Sequence, residues 1–408
     1  MSRVTRMSLL RASTAALTFA AFTATGISSV AAAGSPGPGA HLCTPATLPA
    51  PMKGADPIFP PGQYPVKLPA KSLLGAPNDV PDPYAPGEDW GNLPNGRVWG
   101  SSASVTMGPD GNIWAMDRCG NSGGAGGTDI CGGKSADVDP IIELTPDGQF
   151  IKSFGHGVLV SPHKAEIDKD GNVWVADNGG NQIIKFDPNG KVLMTIGTKG
   201  VTGTGDYQFD APTDVAFGAN GTIFVADGHT GGGTASGNAR IMKYDKEGHF
   251  LMKWGQKGMG PGEFDVPHTL AIDKEGRLYV GDRQNNRVQV FDQNGKFLKM
   301  WYQFSRPSGM YIDKNDMLYV IDSESRDGRT NVGRLAMAPT GYGFNAGAAR
   351  GIRIGSVKDG KVKYLIPDDC SWPYSGGSEL GEGVTTDRDG NVYAADVRGD
   401  VRKFAKQK

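Results

Sequence analysis

Residues 264–301 read FDVPHTLAIDKEGRLYVGDRQNNRVQVFDQNGKFLKMW, and this is the unit that the rest of the chain repeats. Four short strands follow from it. HTLAID and RLYVGD flank a turn at Lys274-Glu275-Gly276, and RVQVFD and KFLKMW flank Gln293-Asn294-Gly295. Asn and Gly tolerate positive φ, which makes the second turn a strong hairpin signal. A single four-stranded sheet cannot bury both of its faces. A run of copies at this spacing therefore implies sheets packed around a common centre.

The most regular part of the unit is a turn followed by an apolar strand ending in Asp. It recurs as GNIWAMD to Asp117, GNVWVAD to Asp177, GTIFVAD to Asp227, GRLYVGD to Asp282, DMLYVID to Asp322 and GNVYAAD to Asp396. Six copies of four strands predict an all-β fold, a six-bladed β-propeller over residues 96–408. Insertions near 119–137, 230–238 and 324–350 lengthen blades one, three and five. The last copy shows only three strands, GVTTD, NVYAAD and VRKFAK. Residues 96–100 (GRVWG) stand where every other blade places its fourth strand, so this N-terminal strand is expected to complete blade six and close the ring.

Residues 1–33 lie outside that pattern. Arg3, Arg6 and Arg11 precede the apolar run LTFAAFTATGISSV, which ends in Ala31-Ala32-Ala33-Gly34. A basic start, a short apolar middle and a small-residue cleavage site describe a secretory signal peptide. A membrane span needs about 20 apolar residues, and Thr, Gly and Ser interrupt this run. The expected protein is exported, periplasmic or extracellular, without a membrane span, and monomeric. Residues 34–95 are rich in Pro, Gly and Ala without periodicity; they read as an N-terminal arm across the surface, with a disordered leader as the alternative for 34–60. Four cysteines in an exported chain should pair: Cys119 with Cys131 inside one insertion and, by exclusion, Cys43 with Cys370.

With 61 Gly and 27 Pro in 408 residues, the composition suits a chain of many turns. A formal net charge of -1 argues against a nucleic-acid or anionic-membrane partner, either of which demands a basic face. GxSxG, HExxH and P-loop motifs are absent, and GGAGG at 123–127 precedes no helix, so it reads as a flexible insertion rather than a phosphate cradle.

Because the six Asp residues occur in every blade, they read as structural caps of the turn after the second strand. What differs between blades is more informative. The equivalent position at the start of each first strand holds Ala103, His163, Thr213, His268, Ser308 and Glu382. First strands line the channel of a propeller, and blades two, four and six lie about 120° apart. His163, His268 and Glu382 are thus expected to converge as a divalent-metal site with open positions; hydrogen bonds to backbone or water are the bland alternative. The residues after each repeated Asp should surround the same mouth. Among them Arg118 and Arg283 could clamp a carboxylate, or pair with a loop Asp, and His229 could act as a general base. His156 and His249 fall in hairpin positions and are expected at the surface.

The repeats resemble NHL repeats. The stretches PTDVAFGANGTIFVADGH, NARIMKYDKEGHFLMKWG, PGEFDVPHTLAI and VGDRQNNRVQVF are similar to the lyase domain of peptidylglycine-amidating enzymes, the peptidyl-α-hydroxyglycine α-amidating lyase, with a weaker likeness over about 97–405. The chain looks closer still to bacterial exported propellers grouped with that lyase. The resemblance implies a channel zinc held by three His, a Tyr base, two Arg on the substrate and a calcium ion that stiffens the channel. It puts two zinc ligands on His163 and His268 and the Arg pair on Arg118 and Arg283. Glu382 stands where the third His is expected, which also suits iron or manganese. Gly383 replaces the Asp that helps hold calcium and puts that structural calcium in question, and His229 replaces the Tyr. The implied reaction is cleavage of the C–N bond of an α-hydroxyglycine-type carbinolamide to an amide and glyoxylate. The alternatives are a metal-dependent lactonase or esterase, and a non-catalytic propeller that binds a peptide or glycan at its mouth.

Overall fold

The computed structural model describes residues 55–57, 70–120, 131–230, 237–325, 328–330, 343–368, 380–397 and 399–408. Residues 1–33, which the sequence suggests are a signal peptide, lie outside these residues, as do Cys43, Cys370 and the GGAGG run. Six four-stranded antiparallel sheets account for the repeats. Blade one runs from Ser102–Met107 to Phe150–Phe154, blade two from Pro162–Ile167 to Val192–Gly197 and blade three from Pro212–Phe217 to Phe250–Trp254. Blade four spans Pro267–Ile272 to Phe297–Trp301, and blade five Gly309–Ile312 to Val362–Pro367. Among the described residues, no helix is long and apolar enough to cross a membrane.

Alternation along the strands explains the core. Each sheet is apolar on both faces, and six hydrophobic layers form, one between each pair of neighbouring blades. Phe186, Phe224 and Tyr279, for example, are fully buried. Each hairpin between first and second strands turns through a residue at positive φ. That residue is Gly111, Gly171, Gly221, Gly276 or Gly390, and in blade five it is Asp316, at φ 60°.

An N-terminal strand closes the ring, as expected, but its position differs from the expectation. Glu88–Trp90, not residues 96–100, pairs with Asp400–Phe404 as the outer strand of blade six. The physical reason is Trp90: it is buried, meets Tyr393 edge-on at 4.9 Å, and donates its Nε1–H to the Pro146 carbonyl. Residues 96–100 instead lead into blade one, where Arg97 pairs with Asp117 at 2.7 Å. Further upstream the arm continues across blade five. The buried Arg353 donates to the Pro77 carbonyl and to Asn78 Oδ1.

The repeated Asp residues are structural, and they do more than cap one turn. Asp177 accepts the Val160 and Ser161 amides, which precede its own blade's first strand. Asp227 and Asp282 each also accept the Nε–H of a third-strand arginine, Arg240 and Arg287. Each such carboxylate therefore locks three segments of one blade together at the same end.

Candidate metal centre

The site begins with a backbone irregularity. In blades one to four the first strand slips register against the second around Ala103, His163, Thr213 and His268. A bulge of this kind re-aims one side chain, and here it turns the bulged residue into the channel. The residue before Pro267 adds strain: Val266 is β-branched and buried, with φ at 61°. Its carbonyl accepts the Arg283 amide at 3.0 Å, just as the Ala211 carbonyl accepts that of His229 and the Ser101 carbonyl that of Arg118. These bonds bring the start of each first strand to the end of the second, where the sequence places the mouth residues.

His163, His229, His268 and Glu382 meet there, with one ligand atom from each lying within 4.8 Å of the others. The three imidazole centroids are 4.7, 5.3 and 5.3 Å apart. His163 Nδ1 lies 2.8 Å from the Thr213 carbonyl, and His268 Nδ1 lies 2.7 Å from that of Ser308. A carbonyl only accepts, so both Nδ1 atoms carry hydrogen and both Nε2 atoms present lone pairs. Those Nε2 atoms are buried and have no hydrogen-bond partner. They face the Glu382 carboxylate at 3.3 and 3.4 Å.

Lone pairs facing a carboxylate repel unless a proton or a cation lies between them. Protons are disfavoured. Burial holds His163 well below its usual pKa, and burial followed by the Arg283 charge lowers His268 to about 3. Glu382 stays ionised: burial would raise it, but the positive charge packed against it, with the Arg118 guanidinium on Oε2, holds it well below the carboxylate range. Neutral nitrogens and one anionic oxygen form a donor set that fits a divalent metal. The donors do not fit a calcium ion in the layer beneath. A Cβ at Gly383 would fall 2.5 Å from the Val105 nitrogen, so no carboxylate side chain fits there.

The arginine pair is placed at the mouth but is engaged. Arg118 Nη2 donates to Glu382 Oε2 at 3.3 Å and Arg283 Nη1 donates to Oε1 at 3.0 Å, one guanidinium for each oxygen. Arg283 Nη2 also donates to His229 Nε2 at 3.1 Å, which occupies the lone pair a general base would use. Burial, then the Arg283 charge, holds His229 well below its usual pKa, in contrast to the near-neutral base the sequence suggested. His156 and His249 are exposed, each against an Asp.

Two further charged residues were not singled out from the sequence. Glu324 lies 3.4 Å from Arg283 and accepts from Arg306, and burial is outweighed by these two guanidiniums, which lower it to about 2. It stands two residues after the repeated Asp322, as His229 stands two after Asp227, so comparing blades at that offset would have found it. The disulfide Cys119–Cys131 is present directly beside Arg118, and the Cys131 amide donates to the Val160 carbonyl ahead of the His163 strand.

Residues 264–291 match the NHL repeat family model. The chain is 38% identical over 152 residues to a probable peptidyl-alpha-hydroxyglycine alpha-amidating lyase of Caenorhabditis elegans, covering 36% of this chain and 41% of that protein. It is 35% identical over 167 residues to the peptidylglycine alpha-amidating monooxygenase of Rattus norvegicus, covering 39% of this chain and 16% of the rat protein. The chain thus spans less than half of the length of either relative. A Xanthomonas campestris gluconolactonase shares the fold at 13% identity, with a TM-score of 0.50 over 82% of this chain and 99% of that one. Together with the six blades, these likenesses make the chain an NHL-repeat six-bladed β-propeller that resembles the peptidyl-α-hydroxyglycine α-amidating lyases.

Proposed function

We propose that the protein is an exported, metal-dependent lyase that cleaves the C–N bond of an α-hydroxyglycine-type carbinolamide, releasing an amide and glyoxylate. The observation that carries this reading is the pair of unpartnered Nε2 atoms, on His163 and His268, facing Glu382. A bound zinc, iron or manganese ion would act as a Lewis acid on the substrate hydroxyl. The chain's own residues do the rest. Arg283 turns from Glu382 to the substrate carboxylate, with Arg118 as its partner on the opposite side. That movement frees His229 Nε2, which takes the hydroxyl proton as the C=O bond forms and the C–N bond breaks. His229 then returns the proton to the departing amide nitrogen.

One observation favours a hydrolytic second reading, a lactonase or esterase. Both guanidiniums already donate to Glu382, and ester hydrolysis needs no carboxylate clamp. Elemental analysis of the purified protein beside a His163→Ala/His268→Ala variant tests the common premise. About one equivalent of a transition metal is expected in the parent and none in a variant that still melts cooperatively. Glyoxylate released from an α-hydroxyglycine peptide supports the lyase, and lactone turnover alone supports the hydrolase. A metal-free parent overturns both and leaves a propeller that binds a peptide or glycan at its mouth.

A further inference from the structure

One residue deeper in the channel, beneath the histidines, the donor chemistry changes. Lys164 follows His163 on the first strand of blade two and is buried. Its ammonium donates to Asp214 Oδ2 of blade three at 2.8 Å and to Thr269 Oγ1 of blade four at 3.0 Å, with Glu166 Oε1 at 3.7 Å. The network spreads from there. Asp214 Oδ2 also accepts the Leu270 amide, Thr269 Oγ1 accepts the Met310 amide of blade five, and Glu166 Oε2 accepts Thr106 Oγ1 of blade one. One ammonium therefore sits at the hub of contacts that reach five blades.

On the opposite side of the channel, two of the three first strands carry glycine at this level, Gly309 and Gly383. A Cβ on Gly309 would fall 2.0 Å from the Glu382 carbonyl oxygen, and Gly383 is equally confined by Ser104 and Val105. These two glycines let the first strands of blades five, six and one close in on the axis. At Gly309 and Gly383 no side chain projects toward the axis.

We infer that the channel carries its structural cation covalently: the Lys164 ammonium holds Asp214, Thr269 and Glu166 where an exchangeable hard cation such as calcium would otherwise be required. A tethered ammonium cannot be chelated and needs no ligands from the glycine side. It satisfies the Asp214 charge with a single buried partner. The inference rests on this layer alone and does not depend on the lyase reading.

Thermal melts after exhaustive chelation, with and without millimolar calcium added back, provide the test. Chelation strips the mouth of transition metal, and its imidazole nitrogens are poor ligands for calcium, so a calcium response reports on the oxygen donors of the layer beneath. The parent is expected to melt at the same temperature in both. Lys164→Met is expected to melt roughly 5 °C or more lower, because a buried carboxylate loses its partner, and to be partly restored by calcium. Lys164→Met/Asp214→Asn should recover part of the loss and lose the calcium response. A calcium-dependent rise of several degrees in the parent would overturn the inference. So would a Lys164→Met variant that melts like the parent. If Lys164→Met alone does not fold, the parent's calcium response and the double variant still decide.

Discussion

Two adjacent layers of one channel handle polarity in opposite ways. At the mouth, His163 and His268 end in buried ring nitrogens with no partner, aimed at a carboxylate that two arginines also grip. One residue further along the same strands, Lys164 ends on Asp214 and Thr269, and the carboxylate and hydroxyl that receive it accept backbone amides as well. Buried polar groups are normally satisfied, so the layer that is complete reads as scaffold and the layer left open reads as a place for something to bind. The difference is produced by the bulge at His163, which lets two consecutive residues both face the axis.

Removing the carboxylate from the mouth should have the largest effect. Glu382→Gln keeps the volume but removes the anion that Arg118 and Arg283 share, leaving Glu324 beside Arg283. We expect a loss of about 3 kcal/mol in denaturant melts and a metal affinity lower by on the order of 10–100-fold in competition titrations. An unchanged affinity would show that Glu382 serves the arginines alone, and the two layers would then differ less than the geometry indicates.

A smaller loss, about 2–3 kcal/mol, is expected for Cys119→Ser/Cys131→Ser, since the bridge closes a short loop with a sequence separation of 12. The bridge abuts Arg118 and holds the approach to His163. Metal binding should therefore weaken in step with the melting temperature, whereas the calcium-independence of the layer beneath should persist. Loss of stability with unaltered metal affinity would separate the disulfide from the mouth.

The smallest effect concerns pH. Burial, opposed by Lys164 and reinforced by Asp214, raises Glu166 from 4.5 to about 7. The folded state therefore keeps its proton at pH values where the unfolded chain has released it. Stability from this group is full below about pH 4.5 and is lost as pH rises to about 7, by roughly 1–2 kcal/mol given the partial exposure of the side chain. The mouth histidines act in the other direction, since the unfolded chain binds protons there that the folded state refuses. The difference between parent and Glu166→Gln profiles isolates the Glu166 contribution. A Glu166→Gln profile parallel to the parent's across pH 4.5–7 would place its titration elsewhere.

Much of this was legible in the chain itself. Period-two strands, Gly turns and the six repeated Asp residues determine six blades, because each copy must bury two faces against its neighbours. Comparing one position across blades was enough to bring out His163, His268 and Glu382, which depart from what the other blades hold there and which the structure gathers in one cluster. The residues after each Asp located Arg118, His229 and Arg283 at the same mouth. What the sequence could not settle were matters of fit. Glu88–Trp90 closes the ring because Trp90 packs on Tyr393, an aromatic contact between residues some three hundred positions apart. The arginines are spent on Glu382 because three blades place them on its two oxygens, and no local pattern encodes that convergence. Nothing in the local sequence pattern marks Lys164. Only the tertiary structure set it against Asp214 and Thr269, because a bulge in one strand and two glycines across the axis together decide which charges the channel must neutralise.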